Sequence, residues 1–134
     1  MTILQDNVAV SRPVLLIGHP TAEYADLVCR YFDGRGWETH QATSGREVRA
    51  KARELSPDVI VLGTNLPDES GWLICEKLQQ ERSGRRVVLV AERWTTDYQH
   101  FADFVRASAV VHEEAGVQAL AEAIEDPARV FALT

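Results

Sequence analysis

The sequence predicts an α/β domain in which helices cover both faces of a parallel sheet. Short apolar runs at 14–17, 59–62 and 87–90 are typical of strands that are buried on both faces. The segments between these runs carry apolar residues at helical spacing. Connections of this length require parallel strands joined by right-handed crossovers. These observations favour a three-layer αβα sandwich.

Five strands are expected along the chain. The first is wholly apolar and ends at Gly18, the second alternates, and the third follows Pro57, which separates it from the preceding helix. A Ser83-Gly84 turn leads into the fourth, and the fifth is short. The predicted strands lie at 14–17, 37–42, 59–62, 87–90 and 109–111.

A helix is expected after each strand. Thr21 and Ser44 are placed to cap the first two helices, which end near Gly34 and at Leu55, and Gly71 begins the third. The fourth and fifth are expected at 95–106, with the start at 95 or 96, and at 116–125, before Pro127.

This alternation predicts a five-stranded parallel sheet of order 2-1-3-4-5, the flavodoxin-like arrangement, with a functional crevice at the carboxyl ends of strands 1 and 3. We expect one domain over 13–126, with tails at 1–12 and 127–134. The second tail is apolar at 130–133. We expect it to dock on its own domain, although pairing with a partner or the start of a lost segment are alternatives.

Composition narrows the class of protein. The chain has 134 residues and a net charge of −6, which disfavours nucleic acid as a partner and suits solubility or a basic protein partner. Neither an apolar run of membrane-spanning length nor a secretion signal is present, so we expect a cytoplasmic protein without a membrane partner. Cys29 and Cys75 fall in helical patterns and are expected to be buried thiols.

Residues 57–71 carry the strongest resemblance to a known family. The apolar strand, the Asn65-Leu66-Pro67 turn and the Ser70-Gly71 helix entry resemble the third strand and following loop of a bacterial response regulator receiver domain. The likeness extends over about residues 13–126 and implies a CheY-like fold. In that family the third strand ends in an aspartate that accepts a phosphoryl group. Here the matching residue is Gly63.

The resemblance implies that the other reactive positions have also changed. The acidic pair that binds magnesium in the family corresponds to Gly18 and His19, the hydroxyl residue to Val90, and the lysine to Glu113. We therefore expect a degenerate pseudo-receiver with no phosphoacceptor, metal, cofactor or catalytic residue. Thr64 is not expected to replace the aspartate, and Asp68 is expected to be a solvated turn residue.

The fourth helix carries a candidate interaction face. Trp94, Tyr98, Phe101 and Val105 follow one another at spacings of four, three and four, with Phe104 beside them. One interpretation is that this stripe packs inward, and the other is that Trp94 or Tyr98 anchors a partner. The family likeness implies that helix 4, strand 5, where Val110 takes the place of an aromatic switch residue, and helix 5 form a surface for targets or a homodimer. His100, Asp97 and Asp103 are expected on the wetter side of the helix.

Two functional hypotheses follow from the sequence. The first is an atypical receiver that acts without phosphorylation, as a protein-interaction module in two-component signalling, with a histidine kinase, a regulator or itself as partner. The second is a receiver-like fold that binds a small ligand in the crevice at Gly18, Gly63 and Val90, whose small side chains would leave space.

Overall fold

The computed structural model describes residues 11–125, and within them the predicted sheet is confirmed. All neighbouring strands are parallel, and their order is 2-1-3-4-5. The strands are β1 (Val14–Gly18), β2 (Glu38–Ala42), β3 (Val59–Gly63), β4 (Val87–Ala91) and β5 (Ala109–His112).

Helices form the two outer layers. They are α1 (Ala22–Asp33), α2 (Gly45–Leu55), α3 (Gly71–Glu81), α4 (Tyr98–Phe104) and α5 (Gly116–Glu125), with a short 3₁₀ turn at Glu113–Ala115. Helices α1 and α5 pack on one face of the sheet, and α2, α3 and α4 pack on the other. No helix in the described part of the chain is long and apolar enough to cross a membrane. The predicted tails, including the apolar stretch at 130–133, lie mainly outside the described residues.

The core explains why β3 and β4 are continuously apolar. Every residue of both strands is buried, because helices cover both faces of the sheet. The two cysteines are confirmed as buried thiols, and burial raises the pKa of Cys29 and raises that of Cys75 to about 12. Both side chains therefore act as small apolar groups rather than as nucleophiles at neutral pH.

Two predicted caps have different outcomes. Ser44 caps α2 as expected, since its hydroxyl accepts the N–H of Glu47 at 3.1 Å. The Thr21 side chain makes no capping bond to α1, so that prediction is wrong. The N–H of Thr21 donates instead to His19 Nδ1 at 3.0 Å.

Asp68 is a solvent-exposed turn residue, as expected, and the structure adds a capping role. Its side chain is exposed, yet its carboxylate accepts the N–H groups of Gly45 at 2.7 Å and Arg46 at 3.0 Å. These two bonds cap α2 from the loop after β3 and lower the pKa of Asp68. The loop and the helix are thereby fixed to each other.

Helix α4 is shorter than predicted. It begins at Tyr98 rather than at 95 or 96, and it ends at Phe104 because Arg106 adopts a left-handed conformation with φ of 62°. The N–H of Ala107 donates back to the carbonyl of Ala102 at 2.8 Å and closes the helix end. Within this short helix, Ala102 is the buried residue.

Candidate functional site

The crevice lies where the carboxyl ends of β1, β3 and β4 meet. Gly18, Gly63 and Val90 end or nearly end these strands, and Gly63 pairs with Val90 in the register of β3 and β4. The cavity at this edge measures about 50 Å³. It is lined by His19, Pro20, Thr21, Gly63, Thr64, Asn65, Val90, Glu92 and Glu113.

His19 is the central side chain of the crevice. It is 4% exposed, and its Nδ1 accepts the N–H of Thr21. A ring nitrogen that accepts a hydrogen bond carries no proton, so the imidazole is neutral with its proton on Nε2. That Nε2–H donates to Glu113 Oε1 at 2.9 Å. The bond passes over the ends of β3 and β4 and joins the loop after β1 to the turn after β5.

Gly18 and Gly63 have no side chains, and this leaves the space that Val48 and the His19 ring occupy. A Cβ added to Gly63 would lie 3.0 Å from His19 Cδ2 and 3.2 Å from Pro20 Cδ. A Cβ added to Gly18 would collide with Cγ2 of Val48, which is fully buried. The imidazole thus occupies the space in front of β3, and the expectation that small side chains leave room for a ligand is wrong. A cavity of about 50 Å³ holds roughly one or two water molecules, whereas ligand pockets measure roughly 300–1,000 Å³.

Tyr24 supports the His19 ring and was missed in the sequence. The two ring centroids lie 4.5 Å apart with an interplanar angle of 33°. The Tyr24 hydroxyl is buried and has no hydrogen-bond partner among the described residues. Burial, followed by the negative charge of Glu113, raises its pKa well above the usual value. Its spacing of four from Val28 was a signal for the apolar face of α1, but not for contact with His19.

The crevice does not fit the magnesium ion that receivers bind. Magnesium requires hard oxygen ligands in near-octahedral geometry. Gly18 and Gly63 have no side-chain ligand, and both nitrogens of His19 are engaged in hydrogen bonds. Among the residues that line the cavity, the carboxylates are Glu92 and Glu113, and Glu113 is already bonded to His19. Over residues 11–125 no three histidine, cysteine or acidic side chains converge as a metal site.

The stripe is divided between the core and the surface, and the interpretation that Trp94 or Tyr98 anchors a partner stays a prediction. Val105 and Val110 are both 6% exposed and belong to the core, so neither is an exposed anchor and these two candidates are corrected, although Val105 also lines the recess between α3 and α4. Trp94 is 42% exposed and Phe101 is 48% exposed, so inward packing is wrong for them. Tyr98 is half-buried and packs against the core.

The remaining residues of α4 and the crevice lie as follows. His100, Asp97 and Asp103 are exposed, as expected. Phe104, noted beside the stripe, is 79% exposed. Thr64, which is not expected to act as a substitute acceptor, is buried and lines the crevice.

A comparison of the sequence with models of known protein families agrees with this fold. The model of the response regulator receiver domain matches residues 21–125, which is most of the chain. The protein belongs to the response regulator receiver domain family. Receiver domains are signalling modules of two-component systems, so this fixes the general class of its function.

Solved structures with the same fold include receivers from distant organisms. The chemotaxis response regulator CheY4 of Vibrio cholerae superposes with a TM-score of 0.80 and 17% sequence identity, covering 87% of this chain and 99% of that one. A CheY-like receiver domain protein from Methanospirillum hungatei JF-1 gives 0.80 and 22% identity, over 87% and 93% of the two chains. At these identities the likeness establishes the CheY-like fold alone.

Curated relatives are longer regulators. The chain is 38% identical over 72 residues to the probable transcriptional regulatory protein TcrX of Mycobacterium tuberculosis, covering 54% of this chain and 30% of the relative. It is 32% identical over 69 residues to the DNA-binding dual master transcriptional regulator RpaA of Synechocystis sp., covering 52% and 29%. The matched part spans about a third of each relative. Because a relative is named as DNA-binding, the expectation that excluded nucleic acid as a partner has no support from these comparisons.

Proposed function

We propose that this receiver domain acts without phosphorylation, as a protein-interaction module in two-component signalling. The observation that carries the proposal is the His19 ring, which is bonded to Glu113 and packs in front of Gly63. His19 and Glu113 stand at positions of the family's reactive groups, and here the two side chains are hydrogen-bonded to each other.

Phosphoryl transfer to this crevice would lack each of its chemical requirements. Gly63 has no nucleophile, and the donor set does not suit magnesium. Glu92 and Glu113 bring negative charge to the position where a phosphoryl group needs a cation. We infer a pseudo-receiver with no catalytic activity of its own.

The hydrogen bond between His19 and Glu113 also favours a single conformation. It holds the loop after β1 against the turn after β5 without any input from a modification. A receiver with one arrangement can present a constant surface to a partner. We infer a cytoplasmic partner of the two-component class: a histidine kinase, another regulator or a second copy. DNA binding, which is named for the Synechocystis relative, is compatible with this role, because most of that relative lies outside the matched part.

Acetyl phosphate tests the proposal directly. The chain is incubated with acetyl phosphate and magnesium, and its intact mass is compared before and after treatment with hydroxylamine, which removes an aspartyl phosphate. We expect no hydroxylamine-sensitive adduct, whereas a receiver with the aspartate, treated in parallel, gains one. An adduct on this chain would overturn the proposal.

The Gly63→Asp variant separates the missing carboxylate from the rest of the crevice. We expect it to remain unphosphorylated as well, because His19 still fills the space and Glu113 still replaces the cation. If this single change restored an adduct, the His19–Glu113 pair would not be what closes the crevice. Circular dichroism confirms that the variant is folded.

A further inference from the structure

The arginines of this acidic protein are concentrated on one part of its surface. The chain has a net charge of −6, yet half of its arginines lie on α2 or between α3 and β4. They are Arg46, Arg49, Arg53, Arg82, Arg85 and Arg86. A local excess of one charge sign attracts and orients partners of the opposite sign.

The first three of these arginines form one face of α2. Arg46, Arg49 and Arg53 are three and four residues apart, so their side chains leave the helix on the same side. They border a recess of about 480 Å³. It is lined by Arg46, Arg49, Ala50, Arg53, Asp68 and Glu69. We call this recess and its three arginines the α2 arginine face.

Glu81 holds these arginines in place without neutralising them. Its Oε2 accepts hydrogen bonds from Arg49 Nη2 at 2.9 Å and from Arg53 Nη2 at 3.2 Å. Its Oε1 lies 3.6 Å from Arg85 Nη1. One carboxylate therefore contacts three guanidinium groups, so an excess of positive charge remains. Guanidinium groups that are fixed in advance lose less conformational freedom when they bind a carboxylate.

The acidic side chains beside this face are engaged in other bonds. Asp68 accepts two N–H groups at the start of α2, and Glu69 pairs with Lys77. Arg46, in contrast, is exposed and makes no salt bridge in the described part of the chain. The Arg53 side chain also remains 56% exposed. Both guanidinium groups therefore have donors available for another molecule.

Carboxylates suit this face better than the backbone of a nucleic acid does. A guanidinium group can bind a carboxylate through two parallel N–H donors. Asp68 and Glu69 lie among the arginines of the recess, and their negative charge would repel a continuous row of phosphates. The net charge of the whole chain adds to this repulsion. An acidic protein segment can place separate carboxylates against single arginines and avoid the two acids.

We propose that the α2 arginine face binds an acidic segment of a partner protein, whose aspartate or glutamate carboxylates pair with Arg46 and Arg53. This inference rests on the proposed interaction role, and it adds the surface and the charge of the partner. The face lies on α2 and therefore not on the α4 surface that the family likeness implies.

Fluorescence anisotropy with a labelled glutamate-rich peptide tests the proposal on the full chain. We expect saturable binding at about 0.1 M salt, where the Debye length is about 10 Å. Binding should be at least tenfold weaker at about 1 M salt, where that length falls to about 3 Å. The same peptide with glutamine in place of glutamate should not bind.

Two double variants with equal net charge locate the binding. Arg46→Glu combined with Arg53→Glu should weaken binding at least tenfold, because both contacts become repulsive. Arg30→Glu combined with Arg93→Glu is the matched control, since both arginines are exposed and lie outside the face. This control should keep the affinity within about threefold, because charges beyond a Debye length are largely screened. Circular dichroism confirms that both variants are folded.

The opposite results overturn the inference. If the glutamate peptide does not bind, or the glutamine peptide binds equally, the face does not recognise acidic segments. If the control pair weakens binding equally, the effect belongs to net charge and not to this face. Tighter binding of an oligothymidylate that depends on the same two arginines would make nucleic acid the partner. The acetyl phosphate experiment is independent of these results, so this inference can fail while the phosphorylation-independent role stands.

Discussion

The crevice differs from the recess between α3 and α4, which is lined in part by Trp72, Leu73, Phe101 and Phe104. The difference is whether the side chains are bonded to each other or exposed to solvent. In the crevice, His19 and Glu113 are bonded to each other and the remaining space is about 50 Å³. In the recess, Phe101 and Phe104 face solvent around a space of about 390 Å³. In the first region the central polar side chains are bonded to each other, and in the second apolar side chains are exposed to solvent. In this receiver the exposed apolar surface is on the helical face rather than at the edge of the sheet.

The largest expected effect comes from adding one carbon to the crevice. Gly63→Ala should destabilise the domain by about 1–2 kcal/mol, because the new methyl group meets the buried His19 ring. In a His19→Ala background the same change should cost less, because the contact with the imidazole is gone and only the 3.2 Å contact with Pro20 Cδ remains. Urea denaturation of the four proteins gives the coupling between the two sites.

That double-mutant cycle tests whether the His19 ring is what fills the crevice. If Gly63→Ala costs the same with and without the imidazole, His19 does not fill the space in front of β3. Tyr24→Phe in the Gly63→Ala protein is a useful control, because it keeps the ring that supports His19 and removes only the hydroxyl.

A smaller effect is expected from the pH dependence of Asp68. Hydrogen bonds from Gly45 and Arg46 lower the pKa of its carboxyl in the folded state. A lowered folded pKa means that this stabilisation is present above the unfolded value of about 4 and is lost as the pH falls through the folded pKa. Asp68→Asn should therefore make the urea midpoint less sensitive to pH below about 4.

The pH dependence of stability that remains in the Asp68→Asn variant measures the contribution of other acidic groups. The N–H of Thr43 lowers the pKa of Glu47, and this group still titrates in the Asp68→Asn variant. A slope identical to that of the unmodified chain would show that Asp68 does not cap α2 in solution.

The smallest effect is expected at the recess between α3 and α4. Phe104→Ser removes a whole ring, yet the unfolding free energy should change by less than about 0.5 kcal/mol, because the side chain is 79% exposed. The measurement uses thermal or urea unfolding at a protein concentration low enough to keep the chain monomeric, since dimerisation adds its own stabilisation. A loss as large as that from Gly63→Ala would mean that Phe104 belongs to the core, and the contrast between the two regions would disappear.

The sequence was sufficient for the sheet but not for the side-chain arrangement on it. Continuous apolar runs such as 59–62 are typical of strands buried on both faces, so the parallel strands and the layers followed from periodicity and crossover length, and the strand order from the flavodoxin-like arrangement. The crevice positions Gly63 and Glu113 were found by resemblance. That His19 bonds to Glu113 was not predictable, because nothing local in the sequence links two residues that follow strands which are not neighbours in the sheet.

The fourth helix is a second case in which the sequence pattern did not predict the orientation of the side chains. Spacings of four and three among Trp94, Tyr98 and Phe101 predicted one stripe, but a stripe does not say which way it faces. The left-handed residue Arg106 shortens the helix, and small Ala102 turns inward instead of the aromatic rings. A non-glycine residue in that conformation has no clear sequence signal.

The contact between His19 and Glu113 also has a consequence for the order of folding. The two residues are 94 positions apart, so their bond closes a loop that contains almost the whole domain. Contacts of such long range form only after the chain between them has assembled. A fragment that stops before β5 would lack Glu113 and could not form this bond, which makes the bond a marker of complete folding.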